Sequence, residues 1–113
     1  MADTLFTKIV NRQIPADIVY EDDLCIAIKD INPQAPVHLL LIPKKPIDRL
    51  ANARDEDQAL LGYLLLAAGK IARQLKIGDS FRVVINNGEH AGQTVFHLHL
   101  HLLAGRSLHW PPG

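Results

Sequence analysis

Apolar positions along this 113-residue chain follow two different repeats. After Asp3, the residues Leu5, Phe6, Ile9 and Val10 recur at three- and four-residue steps, which predicts a short amphipathic helix capped by Asp3 and stopped by Pro15. Between Asp55 and Lys76, the residues Leu60, Leu64, Ala68, Ile71 and Leu75 keep the same steps and predict one long helix. Its expected start is a capping box of Asp55 with Gln58, and its expected stop is Gly78. The rest of the chain reads as strands: "DIVYED", "LCIAIKDI", "VHLLLIP", "SFRVVIN" and "TVFHLHLHLLAG" are rich in branched or alternating apolar residues. Asp22 with Asp23, the "NPQAP" segment and the "NGEHAGQ" loop supply the turns between them. No repeat, low-complexity tract or linker divides the pattern, so a single domain over residues 1–113 is expected.

One strip of the long helix departs from the pattern. Ala59, Gly62, Leu66 and Gly69 form a face too small and apolar for ordinary solvent exposure, flanked by Tyr63 and Ala67. Glycine inside a helix costs about 0.5–1 kcal/mol relative to alanine. Two of them point either to close approach by another element, such as a second subunit, or to tolerated surface glycines.

Composition narrows the partners. Twelve basic residues balance twelve acidic ones, so no broad positive field draws in nucleic acid or an anionic membrane, and a small ligand is favoured. Cys25 is the only cysteine, which excludes an intrachain disulfide and suits a reducing compartment. The amino terminus lacks a basic segment followed by an apolar run, and "ALLGYLLLAAG" is too short to span a bilayer. A cytoplasmic protein with no membrane partner is the expectation.

The chemistry concentrates in the last strand, where His97, His99 and His101 alternate with Leu98, Leu100 and Leu102. On a regular strand the three imidazoles line one face about 6.5–7 Å apart while the leucines enter the core. Rings buried together without partners would leave nitrogens unsatisfied at about 1–3 kcal/mol each, so a ligand, a metal or solvent must meet them. Three chemistries fit: an open zinc site, a nucleophilic imidazole attacking phosphorus, and a non-catalytic anion site.

The surrounding segments add to the triplet. "QAPVHLLLIPKK", "NNGEHAGQTVFHLHLHLLAGR" and the terminal "HWPPG" resemble the histidine triad family, whose motif of histidines and apolar residues reads "HLHLHLL" from His97 to Leu103 here. The similarity is to its nucleotide-binding, or Hint, branch, and runs from "LFTKIV" to Gly113. The resemblance implies an α+β, HIT-like fold: an antiparallel five-stranded sheet per subunit with one long and one short helix, the sheet continuing across a homodimer. It implies a metal-independent purine nucleoside 5'-phosphoramidase without cofactor, releasing AMP or GMP, with aminoacyl adenylates as further candidate substrates. His99 would be the nucleophile that forms a nucleotidyl-histidine intermediate, with His97 orienting it, His101 on the phosphate and His38 in support.

By the same resemblance Asn86, Gly92, Gln93 and Thr94 surround the phosphate, and Thr94 stands where the family commonly has serine. Asp30 would bind the ribose hydroxyls, and Phe6, Ile9, Ile28 and Ile31 would form the slot for the base. Local sequence alone also accommodates plain core packing for those apolar residues and a turn role for Asp30. The segment 104–113, with Trp110, would reach the partner subunit's site. Alternatives in the same fold are a dinucleoside polyphosphate hydrolase and a nucleotide-binding regulator without turnover.

Overall fold

A computed structural model describes residues 3–113. The element order is α1 (Leu5–Val10), β1 (Ile18–Glu21), β2 (Cys25–Lys29), β3 (Val37–Pro43), α2 (Gln58–Gln74), β4 (Arg82–Val84) and β5 (Leu100–Ala104). The five strands form one sheet in the order β1-β2-β3-β5-β4, every pair antiparallel. The α+β class, the strand number and the one-long, one-short helix pair all match the expectation.

Strand alternation gives the sheet two unlike faces. Cys25 and Ala27 of β2, Leu39 and Leu41 of β3, and Leu100 and Leu102 of β5 point to one side, where Leu64, Ala67, Ala68 and Ile71 of α2 cover them. Ile26, Ile28, Leu40 and Ile42 point to the other, where Phe6 and Ile9 of the short α1 cover them, with Val10, Ile14, Ala16, Ile18 and Val95 packed at the margin. His38 shares this second face with Leu40, and His101 is paired directly opposite Leu40. Six helical residues cannot cover a five-stranded sheet, so the face bearing the histidines stays partly open.

Helix ends differ from the sequence reading in an informative way. The cap of α1 is Thr4 rather than Asp3: Thr7 donates its amide to Thr4 Oγ1 at 3.2 Å, and Thr4 donates its amide to Thr7 Oγ1 at 2.6 Å. The first turn before α2 is a tight 3-10 turn at Asp55–Asp57, and Asp57, not Asp55, holds it by accepting the Arg54 amide at 2.9 Å. Lys45 pairs with the same carboxylate, and these two donors hold Asp57 below the usual carboxylate range. Both helices stop before Pro15 and Gly78. Arg12 and Lys76 take the left-handed conformation at φ 62° and 63°, and Gln13 and Ile77 donate amides back to Lys8 and Ala72 at 2.8 and 2.9 Å. Each is the double-bonded left-handed helix ending usually built on glycine, here tolerated by a long basic side chain that favours a helix C-terminus.

The last strand is shorter than expected. Residues 94–99 lie outside the ladder, because β3 ends at Pro43, which has no amide to donate, and Leu98 instead donates to the Ile47 carbonyl at 2.6 Å. His97 and His99 therefore precede the strand, and only His101 stands on it.

On the outer side of α2, Ala59, Gly62 and Leu66 are exposed, and a side chain built at Gly62 meets nothing within 4 Å. Among the described residues no element covers the small strip. Beneath α2, Asp22 gathers the turn between β1 and β2: it accepts the hydroxyls of Tyr63 and Tyr20 and the amides of Leu24 and Cys25. Although burial opposes it, these donors hold the Asp22 carboxyl far below its ordinary range. Cys25 next to it is fully buried, and burial followed by the Asp22 charge pushes its thiol up to about 12.

Candidate functional site

A cavity of about 560 Å³ opens on the incompletely covered face, within the size range of small-ligand sites. Among its lining residues are Phe6, Ile9, Ile28, Asp30, Ile31, Thr94, His99 and His101. These eight sequence candidates meet in one place. Ile31 is 98% exposed at the rim, beside Asp30, whose Oδ1 accepts the Asn32 amide at 2.8 Å.

Hydrogen bonds fix the proton on each ring. The Pro43 carbonyl accepts from His97 Nε2 at 2.7 Å, so His97 carries its proton there, and its buried Nδ1 has no partner. His97 then offers its own carbonyl to His99 Nδ1 at 2.7 Å, which places the His99 proton on Nδ1. A neutral imidazole has one proton, so His99 Nε2 is a bare lone pair without a hydrogen-bond partner among the described residues, on a ring that lines the cavity. Phe6 packs edge-on against that ring at 4.8 Å between centroids and limits its rotation.

A second pair is locked in the same manner. The Gln34 amide donates to His38 Nδ1 at 3.0 Å, so the His38 proton sits on Nε2. His38 Nε2 lies 2.9 Å from His101 Nδ1, which must accept, leaving His101 with its proton on Nε2. Asp30 Oδ2 lies 3.4 Å from His38 Nε2, close enough for its charge to act on that ring. The cavity is thus lined by one bare imidazole nitrogen and one imidazole N–H.

Burial dominates the electrostatics. It lowers the pKa of His97, His99 and His38, with the bonded carbonyls of Pro43 and His97 and the charge of Asp30 opposing it. His101 is brought down to about 4, by burial first and then by its neighbours His99 and His38. Geometry gives the same answer, since a second proton on His101 Nδ1 would confront the N–H of His38. All four rings are neutral at pH 7.

Asp30, His38 and His101 offer one ligand atom each, all within 4.8 Å of one another. The donor chemistry does not fit a cation. The nitrogen that His38 offers is the one bearing its proton, and freeing it would require protonating Nδ1 against the Gln34 amide.

The remaining candidates stand apart from the cavity. Gln93 is 2% exposed and its amide is spent on the protein: Oε1 accepts the Gly88 amide at 2.8 Å, and Nε2 donates to the carbonyls of Asp48 and Val95. Its side chain closes the loop rather than facing a ligand. Gly92 takes φ 99°, and a side chain there would meet Asn86 at 3.6 Å, so Asn86 and Gly92 face each other across the same loop. Trp110 is 83% exposed and lies outside the cavity lining. Sequence reading missed Ile14, Pro15, Ala16 and Asp17, which also line the cavity, although Pro15 as a chain breaker beside α1 was a usable signal. It also missed two main-chain partners, the Gln34 amide and the Pro43 carbonyl, which no side-chain pattern encodes.

Residues 11–108 match the model of the HIT domain. The chain belongs to the HIT domain family. An uncharacterised HIT-like protein of Synechocystis sp. is 68% identical over 111 residues, covering 98% of this chain and 97% of the relative. A 14 kDa zinc-binding protein of Zea mays is 48% identical over 112 residues, covering 97% and 88%. Among solved structures, a HIT family hydrolase from Legionella pneumophila superposes with a TM-score of 0.96 at 46% identity, covering 98% of this chain and all of that one. A histidine triad nucleotide-binding protein from Candida albicans superposes at 0.82 and 30% identity, covering 96% and 83%. The HIT domain match ends short of α1, yet Phe6 and Ile9 of that helix complete the cavity.

Proposed function

We propose that this HIT protein is a metal-independent hydrolase of the Hint branch that cleaves the phosphorus to nitrogen bond of purine nucleoside 5'-phosphoramidates. The observation that carries the reading is the bare Nε2 of His99, held toward a ligand-sized cavity by the carbonyl of His97. The names of the Legionella and Candida proteins add a hydrolase and a nucleotide binder among its relatives. The Zea mays name points to zinc, but the proton positions at Asp30, His38 and His101 argue against a cation there.

In this reading His99 Nε2 attacks phosphorus, a nitrogen to phosphorus bond forms on the ring, and the substrate's phosphorus to nitrogen bond breaks. The departing amine takes a proton from water. Water then attacks the nucleotidyl-histidine, releases AMP or GMP, restores neutral His99 and gives back the proton, so none is consumed. Splitting one hydrolysis into two steps lowers each barrier, and the neutral imidazole is competent at pH 7. The His101 N–H donates to a phosphoryl oxygen and His38 holds it in that tautomer. His97 orients the nucleophile through its main chain, with its ring serving as the anchor. Asp30 accepts from the ribose hydroxyls, Ile31, Phe6, Ile9 and Ile28 take the base, and Thr94 meets the phosphate with Asn86 and Gly92 behind it.

A homodimer belongs to the same proposal. The exposed strip of Gly62, Leu65 and Leu66 on α2 is its interface, the sheet continues between subunits, and Trp110 on the 104–113 segment shapes the partner's site. Hydrolysis of adenosine 5'-phosphoramidate with excess chelator, by wild type and H99A in parallel, tests the chemistry. Turnover by wild type alone supports it, and turnover that needs added zinc refutes it.

A further inference from the structure

The segment after β5 is fastened to the turn that carries Gln34. Gly105 takes φ 95°, and any side chain there would come within 2.8 Å of Pro36 Cβ, so the two segments are in close contact. Arg106 follows directly: its Nε donates to the Gln34 carbonyl at 2.9 Å and its Nη1 to the Ser107 carbonyl at 2.9 Å. Gln34 thus has its carbonyl gripped by Arg106 while its amide points at His38 Nδ1. Its side chain adds a bond to the Asn32 carbonyl at 3.0 Å, within the same turn. Nothing else among the described residues bonds the Gln34 carbonyl.

We propose that Arg106 is a positioning residue for the His38–His101 pair: by holding Gln34 it keeps the amide on His38 Nδ1 and so decides which nitrogen of each ring carries the proton. The reasoning rests on tautomers. With the Gln34 amide in place, His38 can be protonated only on Nε2, and His101 is obliged to accept at Nδ1 and to present its N–H to the cavity. Once the amide drifts, His38 can carry its proton on Nδ1, and its bare Nε2 then accepts from His101 Nδ1. His101 can now take a second proton without confronting another N–H. The charged and titratable groups facing the pair are Asp30, from the turn after β2, and His99, preceding β5. His99 lies outside the 30–36 turn, and Asp30 at its start is tied to β3 by its own amide, which donates to the His38 carbonyl at 3.0 Å, so neither depends on the Arg106 contact.

Arg106 is exposed, and its removal leaves both apolar clusters intact. Arg82 provides the control, because its Nη2 fastens the same tail through the His109 carbonyl at 2.9 Å without touching the 30–36 turn. Ring-nitrogen NMR of the full chain, in wild type, R106A, R106K and R82A, reads the proton positions directly and requires no substrate. The expected result is a single Nε2–H tautomer of His38 in wild type and R82A, a mixture in R106A, and partial recovery in R106K, whose one ammonium reaches the carbonyl without the guanidinium fork. The His101 titration should move up by about one pH unit in R106A only, the scale of one lost charged hydrogen bond. Where phosphoramidate turnover is present, kcat/KM should fall about tenfold in R106A, with the acid limb of its pH profile shifted likewise. An unmixed His38 tautomer in R106A overturns the proposal. Equal changes in R106A and R82A also overturn it, since tail rigidity would then be the cause. Failure of the phosphoramidase reading shows up separately, as absent turnover with the tautomer shifts intact.

Discussion

The two faces of the sheet share strands and alternation yet end in opposite states. Under α2, apolar side chains from three strands meet a helix of 17 residues and close into a sealed core. Under α1, the same strands meet a helix of six residues, and the uncovered remainder becomes a cavity edged by imidazoles. Helix length, more than strand chemistry, separates the part of the molecule that stores stability from the part available for chemistry. The consequence is an expected division of labour: substitutions on one face change stability, and those on the other change turnover.

The largest effect that sharpens this division is on His99. H99A should lower phosphoramidate turnover on the order of 10⁴-fold or more while costing only about 1–3 kcal/mol of stability, the scale of leaving the His97 carbonyl unpaired. Single-turnover kinetics alongside urea denaturation would check both, and a large stability loss would break the comparison. On the opposite face, L64A should cost about 2–5 kcal/mol of stability, since Leu64 is fully buried between helix and sheet, and leave nucleotide affinity within about twofold. Calorimetric titration of the folded variant with AMP would expose any coupling. A smaller, site-restricted effect is expected of D30A, which should raise KM about tenfold for ribonucleotide substrates and far less for deoxy analogues. Equal changes for both would detach Asp30 from the ribose.

The gentlest test is pH. His101 titrates at about 4 in the folded chain against an ordinary 6.5, so between these values the unfolded chain binds more protons and stability rises with pH. The contribution is complete above pH 6.5 and is lost as pH falls toward 4. Denaturation midpoints measured across that window should decline on acidification in wild type and less steeply in H101Q.

Much of this was legible in the chain. The three- and four-residue steps found both helices, and alternation found all five strands, because each element has one face that must be buried. Phe6, Ile9 and Ile28 read as core by composition and do pack there, but their second surface lines the cavity, a dual role that burial patterns cannot separate. The triplet spacing located the chemistry while misdescribing its geometry. Regular alternation would have put three rings on one face, whereas Pro43 cuts the ladder short and lets His97 turn its ring to a main-chain carbonyl. What stayed hidden is the part made of backbone: the carbonyls of Pro43 and His97 and the amide of Gln34 set every tautomer in the site, and any residue type could supply them. The helix endings were illegible for a related reason. Left-handed Arg12 and Lys76 are sterically unfavourable there and are held by the amides that turn back to the last helical carbonyls, so glycine and proline nearby were misleading markers.

Cys25 turns the sealed face into a clock. It begins β2, opposite Pro43, with none of its surface exposed, and a thiol pushed up to about 12 stays protonated at pH 8. An alkylating reagent therefore waits for the strand to leave the sheet before it reacts. The rate at which the native chain becomes labelled reports how often that happens, with no probe introduced and no residue replaced. Adding nucleotide slows this labelling only to the extent that occupancy on the far face holds the shared strands together, so one intrinsic sulfur measures how strongly the two sides of a single sheet feel each other.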